Sequence, residues 1–373
     1  MAWLGIVQCA LSWLRPGPPR FGAAPVVALA ALVGCSDPEP PDRIRLEVVA
    51  VQAEPPSGAP GTVVQLQLVH SGMVLPSPDA ASVIDPSQVR VVWLGGCHNP
   101  PSGQYYGCLP MLRAAAEQLP SPLPAAIEQG AVPEGIFGVG ESFALPIPDD
   151  ILVETRTGLV GVSYAFFAAC RGQLRPRPEL TDTVPLACHG QDGHELGAED
   201  FAVGFTTIRT MPGEQNANPV VTGLRLDGAP LERRSCATDD DCAELGAGAL
   251  AYRCGSDGQC WPVIQSCDQP VSECEPMSLE LVVSPESAEA LPSGSASRPR
   301  ETLRAEVRSV LVPERDSKEL YPGSGDFATD TEFQMYPLPS DDLAGQQLLP
   351  LLAVVRDSRG GTGWLWWSFL WEH

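Results

Sequence analysis

The chain has 373 residues, with 46 acids against 23 bases for a formal charge of −23, and Lys318 is its single lysine. Such an acidic balance leaves no basic footprint for nucleic acid. A hydrophobic content of 44% excludes wholesale disorder. The 39 prolines and 36 glycines predict many short elements joined by turns rather than long helices.

The first informative stretch is residues 21–34, a mostly apolar run containing Val26, Val27, Leu29, Leu32 and Val33. Arg15 and Arg20 precede it and no acid does. A basic region, a short apolar core and small terminal residues make an export signal, predicted here as 1–34. The run is too short to cross a bilayer, which takes about 20 apolar residues, and Pro25 shortens its helix further. Residues 1–14 are themselves largely apolar, which predicts a start site assigned too early.

The run ends in Leu32, Val33, Gly34 and Cys35, followed by a short acidic, proline-rich tether, 36–42. These residues resemble the lipobox of bacterial lipoproteins. The resemblance implies cleavage before Cys35, diacylglycerol on its sulfur and an acyl chain on its new amino group. More than one chain is needed for stable anchoring, and each buried methylene contributes about 0.8 kcal/mol. In that family an Asp after the cysteine retains the protein at the inner membrane. Ser36 stands there, which implies the outer membrane as the destination.

Twelve cysteines are present. Cys9 would leave with the signal and Cys35 would carry lipid. The remaining ten, Cys97, Cys108, Cys170, Cys188, Cys236, Cys242, Cys254, Cys260, Cys267 and Cys274, are an even set in an exported chain and predict disulfides.

Residues 43–212 are predicted to form a first β-sandwich. Residues 44–52 read as a strand, 55–61 as a Pro/Gly turn, and 62–69 as a strand with Val64, Leu66 and Leu68 on one face and Gln65 and Gln67 on the other. Strands follow at 89–93, 143–147, 158–170 and 201–210. Without helices between strands, the pattern is an antiparallel sandwich and not a βαβ sheet. Between Cys97 and Gly140 lies an insertion, with Cys97 and Cys108 closing its first loop and one short helix at 111–119. Cys170 and Cys188 staple a second loop; such closures stabilise by about 3 kcal/mol in the chain-entropy model. Tyr105 and Tyr106, in the first loop, are candidates either for packing over the sandwich end or for binding.

Residues 211–218 read as a linker, and 213–373 as a second sandwich opening with a strand at 219–228. A six-cysteine block, 236–274, interrupts it. Its gaps lack the close pairs of structural zinc sites, so disulfides are expected; six cysteines allow fifteen pairings, all left open. Its opening, Cys236 with Asp239, Asp240, Asp241 and Cys242, resembles small extracellular disulfide modules. Strands return at 279–283, at 303–311, where Leu303, Ala305 and Val307 alternate with Arg304, Glu306 and Arg308, at 333–335, and in a last hairpin, 351–355 and 364–371. In that hairpin Trp364, Trp366 and Leu370 share one face, and Leu365, Trp367, Phe369 and Trp371 the other. Two apolar faces predict burial between sheet and neighbouring domain, with a lipid headgroup or a partner protein as alternatives.

The strand–turn–strand at 44–68, the tryptophan on the third strand (Trp93) and the terminal strand pair resemble the immunoglobulin-like and PKD-like domains of bacterial surface proteins. Cys97 ends the third strand, so the resemblance does not extend to the inter-sheet disulfide of antibody domains. It implies an all-β chain of two immunoglobulin-like sandwiches, the second with an inserted disulfide-rich module.

Chemistry is sparse. The stretch from Gly161 through Ser163 to Ala165 approaches a nucleophile elbow but sits inside a strand and ends in Ala. His189, Asp192, His194 and Glu195, beside Cys188, are weak metal candidates. The acids 239–241 lack the spaced ligands of a calcium loop. No phosphate loop or dinucleotide fingerprint occurs. The expectation is a non-enzymatic envelope module needing no cofactor, anchored through Cys35 and meeting an envelope partner. Rival expectations are a metal-dependent hydrolase using 188–195 and an accessory subunit docking through its Trp-rich end.

Overall fold

The computed structural model describes residues 46–72, 89–117, 136–156, 158–180, 182–213, 216–245, 250–267, 269, 273–295, 298–309, 311–312, 317–323, 332–337 and 347–372. The export signal, Cys35 and the tether lie outside the described residues.

The described residues are predominantly β and form two β-sandwiches. In the first, β1 (Leu46–Glu54), β2 (Val63–Gly72) and β5 (Ser142–Pro146) form a three-stranded sheet in the order β1-β2-β5. It faces a sheet ordered β10-β7-β3-β4, made of β10 (Phe201–Thr210), β7 (Gly158–Cys170), β3 (Arg90–His98) and β4 (Phe137–Val139), with β6 (Val153–Thr155) paired to β7. The alternation in β2 works as its sequence dictates: Val64, Leu66 and Leu68 are buried and Gln65 and Gln67 exposed. Trp93 is fully buried between the sheets. It lies parallel to Phe143 and edge-on to Phe167, each at 5.7 Å, and its indole N–H donates to the Gly140 carbonyl at 2.9 Å.

From Tyr164 onward the central strand β7 is apolar because both faces are covered. Ala165, Phe167 and Ala169 enter the inter-sheet core. Tyr164, Phe166, Ala168 and Cys170 enter a second cluster on the opposite face. That second cluster is roofed by the insertion: α1 (Leu109–Glu117) contributes Leu109 and Leu112, and the hairpin of β8 (Gln173–Pro176) and β9 (Leu186–His189) contributes Leu174, Leu186 and Cys188. Disulfides Cys97–Cys108 and Cys170–Cys188 tie the roof down.

In the second sandwich, a sheet ordered β12-β11-β15-β20, from β12 (Ala229–Pro230), β11 (Val221–Leu226), β15 (Met277–Val283) and β20 (Glu332–Met335), packs on a six-stranded sheet. The latter runs β13-β14-β22-β21-β18-β19, from β13 (Tyr252–Cys254), β14 (Cys260–Gln265), β22 (Thr362–Glu372), β21 (Gln347–Asp357), β18 (Thr302–Ser309) and β19 (Ser317–Pro322). A small outlying hairpin joins β16 (Ala290–Ser295) and β17 (Arg298–Arg300).

Two expectations are refined here. The sandwich is not wholly antiparallel: β14 runs parallel to β22, with Val263, Ile264 and Gln265 opposite Leu370, Trp371 and Glu372. The cysteine block is inserted in the chain but is no mere loop, since Trp261, Val263 and Ile264 of β14 sit in the core of the second sandwich.

Residues 43–373 form one compact unit. Its sandwiches meet through Val49, Ala50 and Val69 of the first and Leu352 and Val354 of the second, with Trp364 and Trp366 packed against them. Trp364 donates to Gln52 at 2.9 Å, and Arg356 donates to the Val49 carbonyl at 2.7 Å and to Glu306 at 3.0 Å. The segment read as a linker is stitched to both sides. Asn218 donates to the Ala53 carbonyl at 2.7 Å and accepts from Thr362 N–H at 2.8 Å, and Asn216 donates to Asp357 at 3.2 Å. Gly363 is required at this seam, where a Cβ would come within 1.8 Å of the Pro219 carbonyl oxygen. The two faces of the Trp-rich strand thus divide: Trp367, Phe369 and Trp371 line the second core, and Trp364 and Trp366 face the first sandwich.

Wild-type protein is therefore expected to unfold in one calorimetric transition. A W364A/W366A variant is expected to lose about 3 kcal/mol or more and to resolve into two transitions. A double transition already present in the wild type would refute the coupling.

Candidate functional site

The site is built on the loop that Cys97 and Cys108 close. Residues 101–108 form two tight turns, Pro101–Gly103 and Tyr105–Cys108, on the outer side of β7 and β10. Tyr164 of β7 donates its hydroxyl to the Gly103 carbonyl at 3.0 Å, fixing the loop from below. Tyr105 then lies on Phe205 of β10, ring centres 4.4 Å apart and planes 20° from parallel. Phe205 also meets Tyr164 and Phe166, each at 5.9 Å, and Tyr105 meets Tyr106 edge-on at 5.9 Å.

Despite these contacts the cluster is open to water: Tyr105 is 38% exposed, Tyr106 54% and Phe205 42%. Val203, two residues before Phe205 on the same face of β10, is also exposed. The tyrosines pack over the sandwich as one alternative expected, and each ring in the stack remains partly exposed. Single exposed apolar side chains are ordinary; here several aromatic ones are contiguous on a stapled loop, which makes them the candidate site.

Tyr105 and Tyr106 were legible in the sequence; Phe205 and Val203 were not singled out. Their signal is that Phe201, Val203 and Phe205 alternate on the face opposite Ile208, so β10 is apolar outward as well as inward.

Ser163 Oγ lies 2.9 Å from His98 Nδ1, a pair the sequence did not predict. Burial pushes the His98 imidazole below its usual value, and Asp150 pulls partly the other way. Ser163 is wholly inaccessible within β7, so no substrate carbonyl reaches its hydroxyl in this arrangement. The neighbouring Asn99 donates to the Ile151 carbonyl and accepts from Val162 N–H at 2.9 Å. The group pins a bend beside β7.

The four candidates at 189–195 are held in three different contacts, two of them pairing with each other. His189 Nδ1 meets the Gly193 carbonyl at 3.1 Å, His194 pairs with Asp192, and Glu195 accepts from Arg177 at 2.5 Å. The ligand-type atoms that do converge among the described residues are the sulfurs of Cys236, Cys242 and Cys260, within 4.8 Å of one another. These belong to two adjacent disulfides, Cys236–Cys254 and Cys242–Cys260, and a bonded sulfur is no thiolate ligand. The fifth bridge is Cys267–Cys274. Asp241 accepts from the Ala237 and Thr238 N–H groups at 2.8 and 2.9 Å, which holds its carboxyl below the usual range, and Asp239 accepts from Cys254 N–H at 2.9 Å. The acid run therefore caps its own turn and braces β13.

No protein-family model matches the chain, and no curated protein matches it. Among solved structures it is similar to the native conformation of E. coli alpha-2-macroglobulin, with 11% identity and a TM-score of 0.20 over 89% of this chain. The chain spans only 17% of that protein. It is also similar to a structure named BspA_C_mut, with 7% identity and a TM-score of 0.18, over 85% of this chain and 93% of the other. Scores of this size carry no inference about fold or function.

Proposed function

We propose that the chain is a lipid-anchored protein of the bacterial cell envelope, acting as a non-catalytic binding or structural module at the outer membrane. Cys35 carries the lipid, and the two fused sandwiches present the aromatic platform of Tyr105, Tyr106 and Phe205. The observation that carries the reading is the fate of the cysteines. All ten that follow Cys35 pair, into five disulfides, which is the state of an oxidising compartment. The Leu32–Cys35 motif points to the same side of a membrane from unrelated residues.

The test is the intact mass of protein extracted from its native membrane without reductant. The expected mass begins at Cys35, carries acyl chains and is ten hydrogens lighter than the reduced chain. An unlipidated species, or free thiols within 236–274, would overturn the assignment. Membrane fractionation then reads the sorting implied by Ser36, with recovery in the inner membrane refuting it.

A further inference from the structure

We infer that the aromatic platform rests on the lipid surface to which Cys35 is anchored, so that the first sandwich lies on its membrane instead of extending away from it; this rests on the lipid-anchored reading above. Eleven peptide bonds separate Cys35 from Leu46, a span of at most about 40 Å when fully extended. Leu46 enters β1 with its N–H bonded to the Glu199 carbonyl at 2.6 Å. Glu199 lies just before β10, the strand that carries Phe201, Val203 and Phe205. At a rise of about 3.4 Å per residue, Phe205 is roughly 20 Å from the tether's entry point. The platform is therefore within one tether length of the tether's entry point, on the strand whose approach the first residue of β1 hydrogen-bonds.

The chemistry of the platform suits that occupant. Tyrosine is favoured at bilayer interfaces, where its ring is buried at headgroup depth and its hydroxyl stays wet. Two tyrosines flank a phenylalanine and a valine here, with no carboxylate in the aromatic cluster. The Cys97–Cys108 bridge and the Tyr164 bond hold the loop in place before contact, so little ordering is needed on binding. A weak patch suffices, because the anchor makes its contact with lipid intramolecular. The net charge of −23 opposes anionic lipid, so the contact is with zwitterionic headgroups and loosens as anionic lipid is added.

The test uses the full lipidated protein in phosphatidylcholine vesicles, with a protease site added to the tether after Pro41. Lipid on Cys35 is first verified by mass, so a failed anchor is recognised as such and takes the proposal down with it. Hydroxyl-radical labelling is then compared before and after tether cleavage. Labelling of Tyr105, Tyr106 and Phe205 is expected to be at least threefold lower before cleavage, with the exposed Val63, Val153 and Leu159 unchanged. Retention of the cleaved protein on the vesicles, lost in a Y106S/F205S variant, would also support the contact. Labelling before cleavage as strong as that of vesicle-free protein, with lipid present on Cys35, would overturn the proposal and leave the anchor standing. Protection that persists in protein recovered free of vesicles would overturn it too, by assigning the platform to a protein partner or a second copy.

Discussion

Replacing Cys242 and Cys260 together by alanine is expected to destabilise the whole second sandwich by about 2–5 kcal/mol, not merely to loosen the cysteine block. Both sulfurs are fully buried, and the bridge closes an 18-residue separation ending at the first residue of β14. β14 covers the edge of β22 and delivers Trp261, Val263 and Ile264 to the core. Trp261 meets Trp367 edge-on at 5.8 Å, and Arg233 lies over the Trp367 ring at 4.7 Å while donating to the Trp366 carbonyl. Freeing β14 thus opens a sheet edge and a core at once. Denaturant unfolding followed by tryptophan fluorescence reads both, since Trp261 and Trp367 report on the contact. The comparison is Cys267→Ala with Cys274→Ala, whose 7-residue separation closes a smaller loop beyond β14 and is expected to cost less. An unchanged midpoint for the Cys242/Cys260 variant would mean that the module is an independent appendage.

The same strand shows where sequence reasoning stops. β2 was legible because it has one wet face, which forces alternation, β18 because its outer face carries Arg304, Glu306 and Arg308, the last two held in ion pairs, and β7 because burial of both faces from Tyr164 onward makes that stretch apolar. β14, Cys-Trp-Pro-Val-Ile-Gln, has no such period and contains Pro262, which lacks a backbone donor. Its state is set by β22, about a hundred residues later in the chain, and a parallel pairing leaves no turn signal between them. The shorter strands β4, β6, β8, β9 and β12 are likewise fixed by neighbours. The linker reading failed for a related reason: Asn216 and Asn218 look like loop composition, yet their amides satisfy backbone and side-chain groups at the seam. At the candidate site the disulfide loop and its tyrosines were visible in the sequence. The partner ring was not, because only the fold brings Phe205 beneath Tyr105.

The contribution of Glu301 to stability is expected to fall as pH rises from about 4.5 to about 7, and the E301Q variant is expected to lack that part of the slope. Glu301 is fully inaccessible at the start of β18, with its N–H bonded to the Glu289 carbonyl at 2.9 Å. Arg359, in the β21–β22 turn, donates to Glu301 and Glu289, and the Asp357 carboxylate accepts from Arg359 N–H at 2.8 Å. One Glu301 oxygen, Oε2, is buried without a hydrogen-bond partner among the described residues. Burial raises the Glu301 carboxyl from 4.5 to about 7; the Arg359 bond opposes this, while Asp357 and Glu289 add to it. The folded chain therefore holds this proton more tightly than the unfolded chain. Between those pH values folding retains a proton that the unfolded state has released, so raising pH favours unfolding. At 1.36 kcal/mol per pH unit the full effect is at most about 3 kcal/mol, complete above pH 7 and absent below 4.5. Denaturant midpoints from pH 4.5 to 7.5 measure it, with E301Q serving as a permanently neutral carboxyl analogue that keeps an acceptor for Arg359. If wild type and E301Q run parallel across that window, Glu301 is ionised throughout and Arg359 outweighs its burial. The consequence for the fold would then reverse in sign: Glu301–Arg359 would act as a buried ion pair, and E301Q would destabilise at every pH by leaving Arg359 short of a charge.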